Sequence, residues 1–219
     1  MTIYAATGNA GKLREFAECA SGEGVEVLAL PGLENMPEPV EDAATFMGNA
    51  ELKAVAYSLR ARGMMVFADD SGLEVDGLGG APGVRSARFA EDAGFAEGRT
   101  KDERNNRLLL ERMKQMEGRG RKARFVCALA LARDGEVLLR ASGSVEGEVL
   151  REARGAGGFG YDPLFLVPEL GKTMAELGAA EKWAVSHRGR AFRELLGGLR
   201  GYQRQHGGTE NTETGTEGL

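Results

Sequence analysis

The sequence has little of what several protein classes need. It holds only two cysteines, Cys19 and Cys127, far apart and each within an apolar pattern, so we expect two reduced thiols rather than a zinc site or a disulfide framework. No apolar run approaches the ~20 residues of a membrane span, and the N-terminal apolar stretch is too short for a secretory signal. Basic residues are not in excess: the net charge is -5. We therefore predict a cytoplasmic protein with no nucleic-acid partner and no membrane partner.

The composition, 42% hydrophobic and 28% charged residues, is typical of a globular chain that can bury a core. A strand over 2–6, a helix over 10–20 and a strand over 25–30 predict the opening of an α/β layer fold. Asp134-Gly135 is a hairpin signal between two β-rich segments. The further predictions are helices over 45–62, 100–116 and most of the chain up to 203, strands over 64–68, 123–132, 136–149 and 164–167, a glycine-rich loop over 72–88, and a disordered tail over 206–219.

The loop after the first predicted strand suits a phosphate group. Its glycines let the backbone approach a ligand, the following helix offers amides and a positive dipole end, and a lysine adds a cation. It lacks the spacing of a Walker A loop. An ordinary strand-to-helix turn explains it equally well. The residues are Thr7, Gly8, Asn9, Ala10, Gly11 and Lys12.

Two adjacent carboxylates, Asp69 and Asp70, end an apolar strand and precede Ser71. Neighbouring side chains of a strand point to opposite faces, so the two acids are expected to have different roles. Magnesium prefers carboxylate and phosphate oxygen. The alternative is an Asp pair that only ends a strand and starts a turn. Asn49 and Lys53 lie one turn apart on a predicted helix, where Lys53 is either solvated or reaches a triphosphate.

Two later segments carry aromatic or cationic groups that suit a nucleobase. In the first, rings between glycines can stack on a base while a carboxylate reads its polar edge; a structural loop with aromatic anchors is the alternative. In the second, a lysine, a histidine and an arginine fall within seven residues of an acidic protein, which favours an anion or base-edge site. The residues are Phe159, Gly160, Tyr161 and Asp162 in the first segment, and Lys182, His187 and Arg188 in the second.

With these segments in order, the sequence resembles the inosine triphosphate pyrophosphatase family, in particular its bacterial dITP/XTP pyrophosphatases. The matching stretches are ATGNAGKLREF, the pattern FxxNAxxKA, ADDSGLEVDGLGGAPGVRSAR, GGFGYDPLF and EKWAVSHRG, which span residues 6–189. The resemblance implies an elongated, two-lobed α/β fold with a mixed sheet flanked by helices and a cleft between the lobes. It also implies one catalytic domain over 1–205, a homodimer, Mg²⁺ as cofactor, and the purine nucleoside triphosphates ITP, dITP and XTP as substrates.

The resemblance also assigns residues. Asp70 matches the catalytic proton acceptor and a magnesium ligand, and Glu41 matches a second metal-binding carboxylate. Residues 7–12 and Lys53 match triphosphate-binding elements. The positions that match nucleotide-binding residues are Ser71, Phe159, Gly160, Tyr161, Asp162, Lys182, His187 and Arg188.

Two positions depart from the family pattern. The family often has glutamate where this chain has Gly48, and glycine where it has Ala43. We expect the missing carboxylate to weaken the helix start and, if it holds metal in the relatives, to lower Mg²⁺ affinity. The residues from 91 to 122 also diverge and carry no motif. The rival readings are a pyrophosphatase for pyrimidine or modified nucleotides and a nucleotide sensor without catalysis, which would be expected to lose one of the acids.

Overall fold

The computed structural model describes residues 1–206, with one mixed seven-stranded sheet in the order β2-β1-β3-β4-β5-β6-β7. β1 runs parallel to β2 and β3, and the other neighbours are antiparallel. The strands are β1 Thr2–Ala5, β2 Glu26–Ala29, β3 Val66–Val75, β4 Lys122–Arg133, β5 Glu136–Val149, β6 Phe165–Val167 and β7 Lys172–Thr173. The helices are α1 Ala10–Ala20, α2 Phe46–Arg60, α3 Phe89–Asp92, α4 Lys101–Arg112, α5 Ala179–Val185 and α6 His187–His206.

Helices cover both faces of the sheet because alternate strand residues point to opposite sides. On one face, Phe67 and Leu129 pack with α1 and α6 around Phe16 and Phe192. On the other, alanines of β3 and β4 pack against α2. A further core gathers the far ends of β3, β4 and β5 under α4. The predicted α/β class with a mixed sheet flanked by helices is confirmed. No described helix is long and apolar enough to cross a membrane.

Three segments differ from the sequence-based predictions by more than three residues. β3 extends past its predicted end at 68 and into the predicted loop over 72–88, as far as Val75, because it pairs with β4 along its whole length. A Cβ at Gly72 would lie 2.7 Å from the Gly83 carbonyl oxygen, so glycine there permits close contact rather than a loop. α4 ends at Arg112 instead of 116. Residues 168–178, predicted as helical, hold a 3-10 turn and β7.

The predicted tail over 206–219 lies outside the described residues, apart from residue 206, which ends α6. The predicted start of the last helix is confirmed, since α6 begins at His187. The hairpin at Asp134-Gly135 is confirmed between β4 and β5.

Candidate functional site

The two adjacent carboxylates on β3 face different partners, as strand alternation predicts. Asp69 lies on the α1 side, where its Oδ2 is 2.7 Å from the Lys12 ammonium. Asp70 lies on the α2 side, where its Oδ1 is 3.4 Å from Lys53 Nζ and its Oδ2 accepts a hydrogen bond of 3.1 Å from Asn49. Both acids are buried. One strand therefore holds two separate cation–carboxylate pairs one residue apart.

These surroundings move the two pKa values in opposite directions. Burial alone would raise the pKa of Asp69, but the charges of Lys12, Arg188 and Lys53 outweigh it and the pKa is lowered. Burial raises the pKa of Asp70, and here Lys53 and Asn49 do not compensate fully. Asp69 is thus a permanent anion, whereas Asp70 is the more basic carboxylate and the better proton acceptor near neutral pH.

A third acid completes the cluster around Lys53. Glu41 Oε2 lies 3.3 Å from the Lys53 ammonium, so two carboxylates, Glu41 and Asp70, turn toward one cation. Burial would lower the pKa of Lys53, but Asp70, Asp69 and Glu41 outweigh it and the pKa is raised. Among residues 1–206 no three His, Cys, Asp or Glu side chains form a metal cluster. Two carboxylates that converge on a positive charge nevertheless suit Mg²⁺, which takes its other ligands from water and substrate phosphate.

The loop from Thr7 to Lys12 forms the N-terminus of α1, but part of it is already occupied. The Asn9 side chain caps the helix and accepts hydrogen bonds from the amides of Gly11 and Lys12, at 2.9 and 3.1 Å. Thr7 Oγ1 accepts from the Asn9 amide. The expectation that this helix end offers free amides was therefore wrong for Gly11 and Lys12. The Lys12 side chain and the dipole of α1 are left to attract an anion.

A cavity of about 300 Å³ lies beside this helix end. Most of the predicted nucleotide-binding residues line this cavity. Glu41, Lys53 and Asp70 are not among the described residues that line it. Ser71, the residue after Asp70, is in the lining and joins the two regions. The predicted site residues in the lining are Asn9, Lys12, Ser71, Phe159, Gly160, Tyr161, Asp162, His187 and Arg188.

The aromatic loop forms one wall of the cavity. Tyr161 is buried and its hydroxyl donates to the Ser86 carbonyl at 2.9 Å, so this ring anchors the loop. Phe159 is 37% exposed, and its ring centroid lies 5.3 Å from Lys182 Nζ and 5.2 Å from Arg188 Cζ. Asp162 accepts from Lys182 at 2.6 Å and from the Phe159 amide at 2.9 Å. Of the two rings in this loop, Phe159 is the more exposed, so it is the candidate for stacking on a base.

His187 and Arg188, at the start of α6, also line the cavity. The His187 ring stacks on Phe125, with 4.8 Å between centroids and 17° between planes. Burial, with Arg188 and Lys182 nearby, lowers the His187 pKa well below its usual value, so the ring is neutral at physiological pH. Arg188 is buried and pairs with Glu15 at 3.0 Å. Within residues 1–206, His187 Nδ1 and Arg188 Nε are among the buried polar atoms without a hydrogen-bond partner, and because both line the cavity they are candidates to bind a ligand.

The two departures from the family pattern are physically linked. A Cβ at Gly48 would lie 2.7 Å from the Ala43 Cβ, closer than two such atoms can approach, so Ala43 and a side chain at 48 exclude each other. The Ala43 amide also donates to Asn49 Oδ1 at 3.0 Å, and Asn49 holds Asp70. Thr45 caps α2 in spite of Gly48, by accepting from its amide at 3.1 Å. The start of α2, which the sequence predicts to be weakened by Gly48, therefore keeps one capping hydrogen bond.

Helix α4 supplies site residues that the sequence reasoning set aside as carrying no motif. Asp102 and Asn105 line the cavity, and Asn106 bonds the aromatic loop. The sequence carries one signal for them: two consecutive asparagines inside a helix are unfavourable for helix formation, so their side chains are expected to bond elsewhere.

The match to known proteins agrees with this geometry. The model of the Ham1 family matches residues 3–197. The chain belongs to the Ham1 family. It is 53% identical over 203 residues to a dITP/XTP pyrophosphatase of Acidobacterium capsulatum, covering 92% of this chain and 99% of the relative. It is 50% identical over 196 residues to a dITP/XTP pyrophosphatase of Thermus thermophilus, covering 90% of each.

Solved structures of Ham1 proteins share the fold. The Ham1 protein of Staphylococcus aureus has a TM-score of 0.77 at 37% identity, covering 92% of this chain and all of its own. A HAM1 protein from Coxiella burnetii has a TM-score of 0.79 at 36% identity, covering 92% of this chain and 99% of its own. The family resemblance read from the motifs is thereby confirmed.

Proposed function

We propose that this protein hydrolyses the deaminated purine nucleotides ITP, dITP and XTP to monophosphate and pyrophosphate, and so clears them from the nucleotide pool. The relatives of the Ham1 family that are named dITP/XTP pyrophosphatases support the substrate class. One structural observation carries the chemistry. Adjacent Asp69 and Asp70 link a cavity with an aromatic wall to a cluster of two carboxylates and a lysine, so one nucleotide can place its base and its phosphates in the two regions.

The triphosphate would bind to Lys12 and Lys53, the two lysines that pair with Asp69 and Asp70. Lys12 and Lys53 bind Asp69 and Asp70 when no substrate is present, and both ammonium groups are largely shielded from solvent. An entering triphosphate brings several negative charges, which compete for the same lysines and for the N-terminal dipole of α1. These fixed positive groups stabilise negative charge that develops on the departing pyrophosphate.

Mg²⁺ would be held by Asp70 and Glu41 together with phosphate oxygens. When bound there it supplies charge neutralisation to the phosphate groups. Two protein carboxylates would leave coordination positions for water and phosphate oxygen, so metal binding would be coupled to nucleotide binding. E41Q is therefore expected to raise the Mg²⁺ concentration for half-maximal activity several-fold, whereas D42N, at the exposed neighbour, leaves it unchanged.

Asp70 is the proposed general base. A water oxygen forms a bond to the α-phosphorus, its proton passes to the Asp70 carboxylate, and the bond from the α-phosphorus to the bridging oxygen breaks to release pyrophosphate. The raised pKa of Asp70 makes it a stronger base than Asp69, whose lowered pKa keeps it an ion-pair partner of Lys12.

Discrimination between bases would come from hydrogen-bond donors at the start of α6, His187 and Arg188. Hypoxanthine and xanthine carry an oxygen at C6, which accepts a hydrogen bond, whereas adenine carries an amino group. Arg188 can only donate, so adenine would leave buried donors facing each other. His187 Nδ1 and Arg188 Nε, both buried without partners among the described residues, are the atoms available for this contact.

We further propose that the protein is a homodimer, that it is cytoplasmic, and that residues 1–205 form one two-lobed catalytic domain. Sedimentation of the purified chain at two concentrations tests the first of them. A species with the mass of a dimer at both concentrations is the expected result.

The proposed chemistry is tested by product analysis of wild type and D70N with ITP and Mg²⁺. The wild type should yield IMP and pyrophosphate in equal amounts, and D70N should lose turnover by roughly a thousandfold or more while remaining folded. IDP and phosphate as products, or near wild-type kcat in D70N, would contradict the proposal. A wild type that binds ITP without turnover would favour the sensor reading instead.

A further inference from the structure

The first two turns of α4 hold the tip of the aromatic loop from both sides. Asp102 Oδ2 accepts a hydrogen bond of 2.7 Å from the Gly160 amide, and Asn106 Nδ2 donates one of 2.9 Å to the Gly160 carbonyl. The two side chains are four residues apart and therefore lie side by side on one helix face. Together they bind both backbone polar groups of a single loop residue.

Gly160 is the residue on which the loop turns. Its φ is +61°, in the left-handed region that favours glycine, and it separates the exposed Phe159 ring from the buried Tyr161 ring. Because Phe159 and Tyr161 are bonded directly to it, fixing the Gly160 backbone fixes where both rings leave the loop. Asp102 also lines the cavity, so the two hydrogen bonds act at the wall where a base would stack.

The neighbouring Asn105 hydrogen-bonds the same helix to the segment around Ser86, which also lines the cavity. Its Nδ2 donates to the Ser86 carbonyl at 3.3 Å, and its Oδ1 accepts from the Ala90 amide at 2.9 Å. The Tyr161 hydroxyl donates to that same Ser86 carbonyl. Asn105 is buried, so its loss would be expected to perturb the fold, whereas Asp102 is exposed and can be changed without opening the core.

The reacting groups are held by other elements. Asp70 lies on β3, and its partners Asn49 and Lys53 lie on α2. A change at the N-terminal end of α4 therefore acts on the aromatic loop without touching the contacts that orient the proposed base.

We propose that Asp102 and Asn106 are positioning residues that hold the Phe159–Asp162 loop in the conformation that binds the nucleobase. This inference rests on the proposed function, because it assigns the loop to base binding. Losing either side chain raises KM and narrows the preference for ITP over ATP, while kcat at saturation is retained.

The test compares D102A, D102N and N106A with E111A, a control at an exposed position in the last turn of the same helix. D102A and N106A are each expected to raise KM for ITP about fivefold, which corresponds to about 1 kcal/mol, with kcat within about twofold of wild type. D102N keeps an oxygen that can accept from the Gly160 amide, so it should restore most of the affinity. E111A should match wild type in both constants.

Hydrogen–deuterium exchange of the substrate-free proteins supplies a reading that does not depend on turnover. Peptides covering 157–163 should exchange faster in D102A and N106A than in wild type, while peptides of β3 should not change. Unchanged exchange in 157–163 would overturn the proposal, as would faster exchange with an unchanged KM, or a loss confined to kcat. If the wild type hydrolyses no nucleotide, the proposed function falls and the exchange data alone decide whether α4 holds the loop.

Discussion

Asp69 and Asp70 are adjacent in sequence, yet removing the charge of Asp69 should cost much more stability than removing the charge of Asp70. D69N takes the carboxylate away from Lys12 and Arg188, two cations that lower its pKa in spite of burial. D70N takes away a carboxylate whose ionised form burial disfavours, as its raised pKa records. The two substitutions are chemically identical and one residue apart, so each is the control of the other.

The magnitudes follow from the contacts. Breaking a buried ion pair by removing one partner costs about 3–5 kcal/mol. The Lys12 side chain is 20% exposed and can turn partly to solvent, and an asparagine oxygen can still accept a hydrogen bond from it. We therefore expect D69N to lose about 3 kcal/mol of unfolding free energy, near the lower limit. D70N should stay within about 1 kcal/mol of wild type at pH 7.

The pH dependence of the two variants also differs. The pKa of Asp69 lies below its ordinary value of 3.8, so its stabilisation is fully present above pH 3.8 and the deficit of D69N stays constant from pH 8 to pH 5. The pKa of Asp70 is raised above 3.8, so wild type gains stability relative to D70N as the pH falls through that raised pKa toward 3.8.

Urea unfolding measures both effects. Trp183, the single tryptophan, lies edge-on to Phe16 and Phe192, with ring centroids 6.3 Å apart in each pair, and its fluorescence reports on that core. D69N as stable as wild type at pH 7, or D70N less stable than D69N, would refute the assignment of the two acids.

Three further predictions test other parts of the structure. G48A should destabilise the protein by about 1–2 kcal/mol, because the new Cβ clashes with Ala43. In an A43G background the same substitution should stabilise the protein, since a helix prefers alanine to glycine. Thermal unfolding measures both, and a stability change of the same sign in the two backgrounds would contradict the clash. R121A should lower the free energy of unfolding in urea by about 2 kcal/mol, since Arg121 donates to the carbonyls of Met113, Met116, Val149 and Leu150. R119A, at an exposed arginine, is the control, and an equal loss in R119A would contradict this prediction. The kcat/KM for ITP, which reports ionisation of the free enzyme, should fall in acid with a midpoint above pH 3.8, because burial raises the pKa of Asp70; a kcat/KM that is flat down to pH 4 would contradict that.

Much of the fold follows from local sequence signals. Apolar periodicity predicted α1, α2 and the two long strands, and Asp134-Gly135 predicted the hairpin between them, because these signals involve residues close together in the chain. The extent of β3 was missed because Gly72 looks like loop chemistry. Only the approach of Gly83 and Ser86 explains why a glycine is required inside a strand.

The candidate site was partly predictable for the same reason. The alternation of Asp69 and Asp70 follows from strand geometry, and the motif order revealed the family. Asp102 and Asn106 were missed because they contact the aromatic loop across 58 and 54 residues of sequence, a pairing that no local pattern records. The Asn9 cap was missed because asparagine is favoured both in turns and as a helix N-cap, and the sequence alone does not separate the two.

The most direct test of the proposed function measures pyrophosphate release from ITP, dITP, XTP, GTP and ATP, with Mg²⁺ and with EDTA. The proposed function predicts fast release from ITP, dITP and XTP, little from GTP or ATP, and loss of activity in EDTA. Equal release from ATP and ITP would contradict the role of Arg188 in base selection. No release from any nucleotide would contradict the proposed function itself.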